Sequence, residues 1–328
     1  MHMKRSMMFL MTIFVLVPGI FAQTYEDVVA KFNEGADDIN KGEYVTAIAC
    51  LNEVLAMAET IGDEATDLAG KAKEQIPLLN YQVAIGYMKQ KDYQNAIPYL
   101  EKTVDLADEY QNNQEYKQKA MKYLPALLTG VGTQKLKDND NSEALNMFEH
   151  AAKYSPDYAK AYLGQGLVYK ANYDEEKMIE TLTKAIELGN STNDAKTVAD
   201  AQEALGSYFT DLGNMELEDV DPEMEDFTYA IEAFDKALQY NPKNTDAHYK
   251  MAIIYNRMIE FDKAIQHGTK ALETATDEIK IAAINYELGN AYFGTAEYDQ
   301  ACQAFNNAMV DIFEERAIAK KEKVPGCN

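Results

Sequence analysis

The sequence predicts an all-α fold, an α-solenoid built from about seven antiparallel helix pairs. Two observations predict it. The 328 residues include only 17 glycines and 8 prolines, whereas alanine, leucine, lysine and glutamate, which favour helices, are abundant. The sequence also repeats one order of small and bulky apolar residues with a period near 34 residues, which is typical of stacked helix pairs. In such an array each pair buries its apolar face against its neighbours.

The N-terminus has the organisation of a secretory signal peptide. Lys4 and Arg5 precede an apolar run, Met7–Val17, and Ala22 supplies a small residue for cleavage. This pattern predicts a signal peptide over residues 1–22, with an uncleaved membrane anchor as the alternative. We therefore expect an exported protein without a membrane span after cleavage. The periplasm of a Gram-negative bacterium is the expected location, and secretion is the second choice.

The repeats cover residues from about 25 to 313. The clearest has Gly289, then an aromatic at Tyr292, then Ala301, Phe305 and Ala308. Small residues let the two helices of a pair approach closely, and the bulky residue fills the space between neighbouring pairs. The same order begins, in full or in part, at Gly35, Ala84, Gly132, Gly166 and Ala252, and a half repeat begins at Ala230 after a displaced first half around Gly206 and Phe209.

This order and period resemble the tetratricopeptide repeat family. The resemblance covers nearly all of the chain after the signal peptide, although the tryptophan of the family signature is absent throughout. It implies a right-handed solenoid in which the first helix of each pair lines a concave surface. We expect the solenoid to occupy residues 23–308, followed by a capping helix and short tail at 309–328.

The array is irregular. The first three repeats carry extra residues, in Glu64–Ile76 and in Asp105–Leu124, and each extension runs into a proline, Pro77 or Pro125. We expect lengthened helices with a bend at each proline. An acidic insertion at 214–226 interrupts the fifth repeat between its two helices.

The chain has three cysteines, too few for a disulfide framework. Cys50 and Cys302 lie in helical patterns, where we expect each to act as a small apolar residue. Cys327 lies in the C-terminal tail. We expect an exposed, unpaired thiol there, with a cross-link between two chains as the alternative.

The net charge of the chain limits the classes of molecule that it is expected to bind. It has 31 lysines and arginines against 54 aspartates and glutamates, a net charge of −23. Such a chain is repelled by nucleic-acid phosphates and anionic lipid surfaces, so nucleic-acid binding is close to excluded. The same charge favours basic protein partners and speeds their encounter.

Motifs for catalysis are missing from the sequence. The histidines at positions 2, 150, 248 and 267 lie far apart in the sequence, and there is no Cys-x-x-Cys. Neither a glycine-rich phosphate loop nor a nucleophile elbow occurs. We therefore predict that the protein is not an enzyme and uses no cofactor or metal.

Two acidic stretches match the composition of a calcium site. Asp138, Asp140 and Glu149 have calcium-loop spacing, but Glu143 stands where the loop needs glycine. These residues also fall at a predicted helix–helix turn, where aspartate caps the next helix, and capping is the prediction. The second stretch, Asn214–Asp226, has seven carboxylates. We expect a mobile acidic loop there, with docking of a basic partner or divalent ion as the alternative.

The resemblance implies that side chains on the first helices bind the partner. Asn256 and Asn290 are expected to hydrogen-bond the backbone of a peptide, and Arg257 to meet a carboxylate. The alternative is that the array buries these side chains itself. Carried over by register, the predicted partner-binding groove consists of Tyr81, Met88, Lys89, Tyr249, Ile253, Asn256, Arg257, Tyr286, Asn290 and Phe293. The same surface includes Phe32, Ile39, Ile85, Leu163, Leu167 and Lys170.

Together these features predict a non-catalytic protein–protein interaction scaffold or adaptor of the cell envelope. It would hold a partner peptide or helix in a preformed groove, which lowers the ordering cost of binding. Two alternatives belong to other classes. The groove could take a small ligand, a lipid or a glycan, or the array could be a structural protein that self-associates.

Overall fold

The computed structural model describes residues 24–218 and 226–327. Within these ranges the chain is helical and contains no strands, so the predicted all-α class is confirmed. The predicted signal peptide and residues 219–225 of the acidic insertion lie outside the described residues. The helices are α1 (Tyr25–Lys41), α2 (Tyr44–Ile61), α3 (Thr66–Lys89), α4 (Tyr93–Glu109), α5 (Gln114–Lys137), α6 (Asn141–Tyr154), α7 (Ala159–Ala171), α8 (Glu175–Thr192), α9 (Ala195–Glu218), α10 (Thr228–Tyr240), α11 (Thr245–Arg257), α12 (Phe261–Thr274), α13 (Glu278–Gly294), α14 (Tyr298–Asn307) and α15 (Glu314–Lys321).

The described residues form two compact units, with the boundary after Lys122, inside α5. In the first unit α1 to α4 pack each on the next, and α1 also contacts α3. Helix α2 is long and apolar enough to cross a membrane, with a mean hydropathy of 1.3. Its residues Ala47, Leu51 and Val54 are buried against the neighbouring helices.

The second unit shows the stacking of a solenoid. From α6 to α15 each helix packs on the next one. In addition, α7 contacts α9, α9 contacts α11, and α11 contacts α13. The first helices of successive pairs are therefore neighbours, which is the arrangement that the repeated sequence pattern predicts.

The small and bulky positions of the repeat meet as the pattern predicts. A Cβ atom added to Gly289 would lie 2.6 Å from the ring of Phe305, and one added to Gly166 would lie 2.5 Å from Leu182. No larger side chain fits there without movement. In the fifth pair, whose first half the sequence places around Gly206, the glycine against Phe234 is Gly213, at 2.7 Å. The long α9 shifts the contact point along the helix.

The extra residues are distributed differently from the prediction. The segment Glu64–Ile76 belongs mostly to α3, which starts at Thr66 after a 3₁₀ turn, Asp63–Ala65. The second extension is interrupted, because α4 ends at Glu109 and α5 begins at Gln114. Pro77 and Pro125 lie inside these 24-residue helices, α3 and α5.

Helix α9 corrects the prediction of an acidic loop from Asn214. It also has 24 residues and runs to Glu218, so the first part of the acidic stretch is helical. The polar residues of this stretch continue the amphipathic pattern of α9 and do not end it.

The turns between the helices of a pair place one residue in the left-handed region. Gly42 has φ 80° there, which glycine adopts without steric cost. Tyr173 has φ 59° and Ile259 has φ 62° at the corresponding turns after α7 and α11. For these two L-residues the conformation costs about 1–2 kcal/mol each.

The C-terminal segment is tied to the last helix pair. Cys302 in α14 forms a disulfide with Cys327, so the prediction of an unpaired C-terminal thiol is wrong. The chain turns back after α15, which packs on α14, and buries Val324 beside Phe305. This return brings Cys327 to α14, a contact that its position in the sequence tail does not reveal. Cys50 is a free, buried thiol.

Candidate functional site

A groove lies between the first helices of three successive pairs in the second unit, α5, α7 and α9. It contains two cavities that share Leu136 and Leu167. We call the two cavities together the central groove. The first cavity has a volume of about 500 Å³, and the polar side chains in its lining include Thr129, Thr133 and Thr197.

The second cavity is larger, about 670 Å³, and its walls are mostly apolar. Met215 is 64% exposed beside it, and Tyr173 is 89% exposed. Large apolar side chains so exposed next to a cavity are typical of binding surfaces. Its lining residues are Leu136, Leu167, Lys170, Ala171, Tyr173, Tyr208, Asp211, Leu212 and Met215.

Two polar side chains of the second cavity, Lys170 and Tyr208, already have partners within the chain. The Lys170 amine donates to the Ala204 carbonyl at 3.4 Å and to the Ser207 hydroxyl at 3.2 Å. The Tyr208 hydroxyl donates to a Glu175 carboxylate oxygen at 2.8 Å. Burial, together with this carboxylate, raises the pKa of Tyr208 to about 12, so the phenol stays protonated. The cavity therefore offers mainly carbon surface to a ligand.

The next pair of first helices, α11 and α13, is closed by a cluster of polar side chains. The Asn256 amide donates to the Glu287 carbonyl at 2.9 Å and to its carboxylate at 2.8 Å. The Asn290 amide reaches the same carboxylate oxygen at 3.4 Å. Burial raises the pKa of Glu287, and burial with the nearby Glu287 raises that of Tyr249 to about 12. We call Asn256, Glu287 and Asn290 the polar cluster.

The other predicted groove residues at this end mainly pack against their own chain. Tyr286 lies with its ring centroid 6.0 Å from that of Phe305 and 6.1 Å from that of Phe313. Ile253 is half-buried, and the guanidinium of Arg257 stacks over Phe227, 4.6 Å from the ring centroid. Phe293 remains 42% exposed. At α11 and α13 the other predicted residues therefore pack within the chain, whereas Arg257 and Phe293 remain exposed.

The predicted residues of the first unit lie on α3. Tyr81 is only 8% exposed and packs on Tyr116, with 5.4 Å between ring centroids. Met88 is half-buried, and Lys89 is exposed beside a cavity of about 430 Å³ that also includes Ile85 and Tyr44. Since Tyr81 is a packing residue, only Lys89 of these three reaches solvent freely.

Two histidines that are far apart in the sequence meet in the fold. The Nδ1 atoms of His248 in α11 and His267 in α12 lie 3.0 Å apart, and His248 Nε2 contacts the Pro242 carbonyl at 3.1 Å. Their separation in the sequence did not indicate this contact. Burial lowers the pKa of His267 to about 4, with His248 as the next cause, so the pair is neutral at pH 7. The contact could have been predicted from the repeat, because His248 and His267 lie on the two helices of one pair, α11 and α12.

The first calcium-like stretch acts as a helix cap. The Asp140 carboxylate accepts from the Glu143 backbone N–H at 3.4 Å at the start of α6. The prediction of capping is confirmed. Among residues 24–218 and 226–327, no group of three or more metal-ligating side chains converges.

Comparison with known proteins places these helix pairs in one family. Tetratricopeptide repeat models match residues 80–110, 132–196 and 223–283. Superkiller protein 3 of Schizosaccharomyces pombe is 27% identical over 193 residues, 58% of this chain and 13% of that protein. The Hsp70-Hsp90 organising protein of Plasmodium falciparum is 27% identical over 89 residues, 26% of this chain and 16% of that protein.

This chain thus spans less than a third of the length of the curated relatives it matches. Among solved structures, a crystal structure of MamA protein is 24% identical and covers 62% of this chain and 96% of its own, with a TM-score of 0.36. The three matched segments coincide with helix pairs described above: α3–α4, the end of α5 through α8, and α10 through the start of α13. The chain is a tetratricopeptide repeat protein.

Proposed function

We propose that the protein is a non-catalytic interaction scaffold that holds a segment of a partner protein in the central groove. One observation carries the proposal: Met215 and Tyr173 are exposed beside an apolar cavity between α5, α7 and α9. A soluble chain gains nothing in stability from leaving such side chains in water, whereas a partner that covers them gains hydrophobic free energy.

The site differs from the groove expected by register from the sequence. Leu167 and Lys170 belong to both, but the polar cluster fills the equivalent space between α11 and α13. The name of one relative, the Hsp70-Hsp90 organising protein, refers to an assembly of other proteins, which supports a scaffold role. The cavity volumes also fall within the range of small-ligand sites, so a lipid or glycan is the second candidate.

We further propose that the protein works outside the cytoplasm, in a bacterial cell envelope. The apolar run after Lys4 and Arg5 supports export. The Cys302–Cys327 disulfide supports it independently, because disulfides persist in oxidising compartments. Fractionation of the source cell, with N-terminal sequencing of the mature protein, tests this. A start near Gln23 in the envelope fraction is expected, and a cytoplasmic chain that begins at Met1 would contradict export.

The scaffold proposal is tested by site-specific photo-cross-linking. A photoreactive phenylalanine analogue replaces Met215 in the second cavity, or Ile259, which is 73% exposed but lies at the turn after α11. In an extract of the source cell, we expect Met215 but not Ile259 to capture one protein, and mass spectrometry to map the contact to one segment of it.

Three other results would contradict the proposal. Cross-links to lipid alone would favour a small-ligand site. Cross-links to a second copy of the same chain would favour self-association. Equal capture at both positions would show that the central groove has no special role.

A further inference from the structure

We propose that the segment held in the second cavity is a basic amphipathic α-helix. Its bulky apolar side chains enter the cavity, and its lysines and arginines meet carboxylates at the rim. This inference rests on the proposed function and adds the chemistry of the partner. Three properties of the second cavity carry it: its apolar floor, the internal bonds that already occupy Lys170 and Tyr208, and the sign of its charges.

The floor of the cavity suits large apolar side chains. Leu136, Leu167 and Leu212 come from three different helices, α5, α7 and α9. A volume of about 670 Å³ accommodates more than one leucine or phenylalanine side chain. The adjoining first cavity shares Leu136 and Leu167, so two neighbouring positions on one partner can be occupied at once. Residues one helical turn apart, about 5.4 Å along the axis, present such neighbouring side chains.

The polar groups of the cavity favour a helix over an extended peptide. An extended segment needs partners for its backbone N–H and C=O groups, and burial without partners costs free energy. Here the Lys170 amine and the Tyr208 hydroxyl are already bonded to Ser207 and Glu175. A helix satisfies its backbone internally and presents only side chains, so it suits a cavity whose remaining walls are carbon.

The charges at the rim favour a cationic helix. Asp211 lines the cavity, and the Glu175 carboxylate receives the Tyr208 hydroxyl. Helix α9 continues past Met215 with Glu216 and Glu218, and no lysine or arginine follows Lys196 in it. Three nearby amines have partners: Lys170 bonds to α9, Lys177 pairs with Asp174 at 3.1 Å, and Lys135 pairs with Asp140 at 3.7 Å. Lys137 also lies in the last turn of α5.

The helix ends add to this field. Helices α5 and α7 both end beside the cavity, near Leu136 and at Ala171. The C-terminal end of a helix carries about half a negative charge, which attracts cations. The chain's own lysines, Lys135 and Lys137 in α5 and Lys170 in α7, lie in these last turns and offset part of that charge. The net charge of −23 also attracts cations, at longer range.

Three synthetic peptides of about 18 residues, five helical turns, test the inference. The first has leucines along one face and lysines elsewhere. The second has glutamates in place of the lysines, and the third has the first composition but with prolines that prevent a helix. Fluorescence anisotropy of each labelled peptide measures its affinity for the full chain. We expect the leucine–lysine helix to bind at least about tenfold more tightly than either of the others. Its affinity should weaken as salt rises.

Two variants and matched controls locate the binding. Met215→Lys places a charge at the apolar cavity, and Met258→Lys does the same at an exposed methionine at the end of α11. Asp211→Lys reverses a rim charge, and Asp105→Lys does so on the exposed face of α4. We expect a loss of about tenfold for Met215→Lys and about fivefold for Asp211→Lys, with both controls within about twofold of the parent. Circular dichroism confirms that each variant folds.

The outcomes separate this inference from the proposed function. Tighter binding of the glutamate or proline peptide, lost in Met215→Lys, would overturn the basic helix while leaving the groove as a protein-binding site. Equal binding of the lysine peptide to Met215→Lys and Met258→Lys would show charge attraction without the cavity and would overturn the inference. No binding of any peptide, with a cross-linked partner still mapped at Met215, would overturn it while keeping the scaffold. A failed cross-link as well would remove both.

Discussion

The central groove and the polar cluster lie at equivalent places, between the first helices of successive pairs. The first place is open to solvent, and the second is filled by side chains. In both, the first helices of successive pairs are neighbours. Between α5, α7 and α9 the side chains leave two cavities, whereas between α11 and α13 the Asn256 amide spans the gap to Glu287. The repeated helix order thus determines where a groove can form. Whether that groove is open depends on a few side chains that face each other across it. Four substitutions or titrations test this difference, from the largest expected effect to the smallest.

The largest difference in stability should come from alanine substitutions of two glycines, Gly289 in the closed region and Gly130 at the first cavity. Gly289→Ala in the closed region places a methyl 2.6 Å from the Phe305 ring, so we expect a loss of about 2–3 kcal/mol of unfolding free energy. Gly130→Ala, at the first cavity, meets nothing within 4 Å, and alanine should stabilise the helix by about 0.5–1 kcal/mol. Urea denaturation of both variants measures this. Equal destabilisation would show that the groove is not open at Gly130.

The second effect concerns the polar cluster. Glu287→Ala removes the acceptor of two buried amides, and we expect a loss of about 1–3 kcal/mol. Glu287→Gln keeps the size and an acceptor oxygen. Because burial raises the pKa of Glu287, the folded state is favoured below the unfolded pKa near 4.5, and this advantage is lost as pH rises.

The stability of Glu287→Gln relative to the parent should therefore increase from pH 4.5 towards pH 7 in urea denaturation. A constant difference across this range would show that the carboxylate is solvated. It would also mean that the cluster does not close the space between α11 and α13.

The third test uses the histidine pair on α11 and α12. Burial first, then His248 and the lysines 270 and 263, lower the pKa of His267 to about 4, against an ordinary value of 6.5. The unfolded chain then binds more protons than the folded one between these values, so stability is full above pH 6.5 and falls as pH drops towards 4.

We expect the melting temperature to fall between pH 6.5 and 5 in the parent and in a His150→Asn control, and less steeply in His267→Asn. Burial also lowers the pKa of His248, although its contact with the Pro242 carbonyl and the nearby Glu273 oppose that shift, so part of the slope should remain in His267→Asn. Parallel slopes in all three proteins would contradict the buried, neutral pair.

The smallest effects should come from the left-handed turns. Ile259→Gly, in the turn after α11, should stabilise the protein by about 1 kcal/mol because glycine tolerates φ 62°. Tyr173→Gly should relieve the same strain after α7, but it removes an aromatic ring that lines the second cavity. We therefore expect similar thermal stabilisation of both variants and a loss of leucine–lysine peptide binding only in Tyr173→Gly. Retained binding there would show that Tyr173 does not contribute to the groove.

The fold was predictable because its determinants are close in sequence. In several pairs a glycine of the first helix meets a bulky residue of the second helix across one turn, as Gly289 and Phe305 do. Such contacts repeat, and a repeat of sterically required residues is visible without any structure. The cap at Asp140 is local for the same reason.

The candidate site was less predictable because it depends on contacts between successive pairs. Asn256 bonds to Glu287, one repeat further along the chain, and no pattern within one repeat indicates that this space is filled. The open space at Leu167 and Met215 likewise depends on three helices at once. The pairing of Cys327 with Cys302 could not be predicted either. It requires the chain to turn back after α15, and no repeated pattern in the final residues indicates that turn.

The Cys302–Cys327 disulfide should make local opening of the second unit less favourable at its C-terminal helices. In a stack where each pair contacts only its neighbours, the terminal pair has one interface fewer and is the natural place for fraying to begin. Here a covalent bond joins α14 to the segment that follows α15, between positions 25 residues apart. The disulfide limits how far the linked segments can separate when this end opens locally, and no such restriction applies to the other helices described in the second unit. Under oxidising conditions, hydrogen exchange in the second unit should therefore spare its C-terminal helices, and reduction should make them the first to exchange.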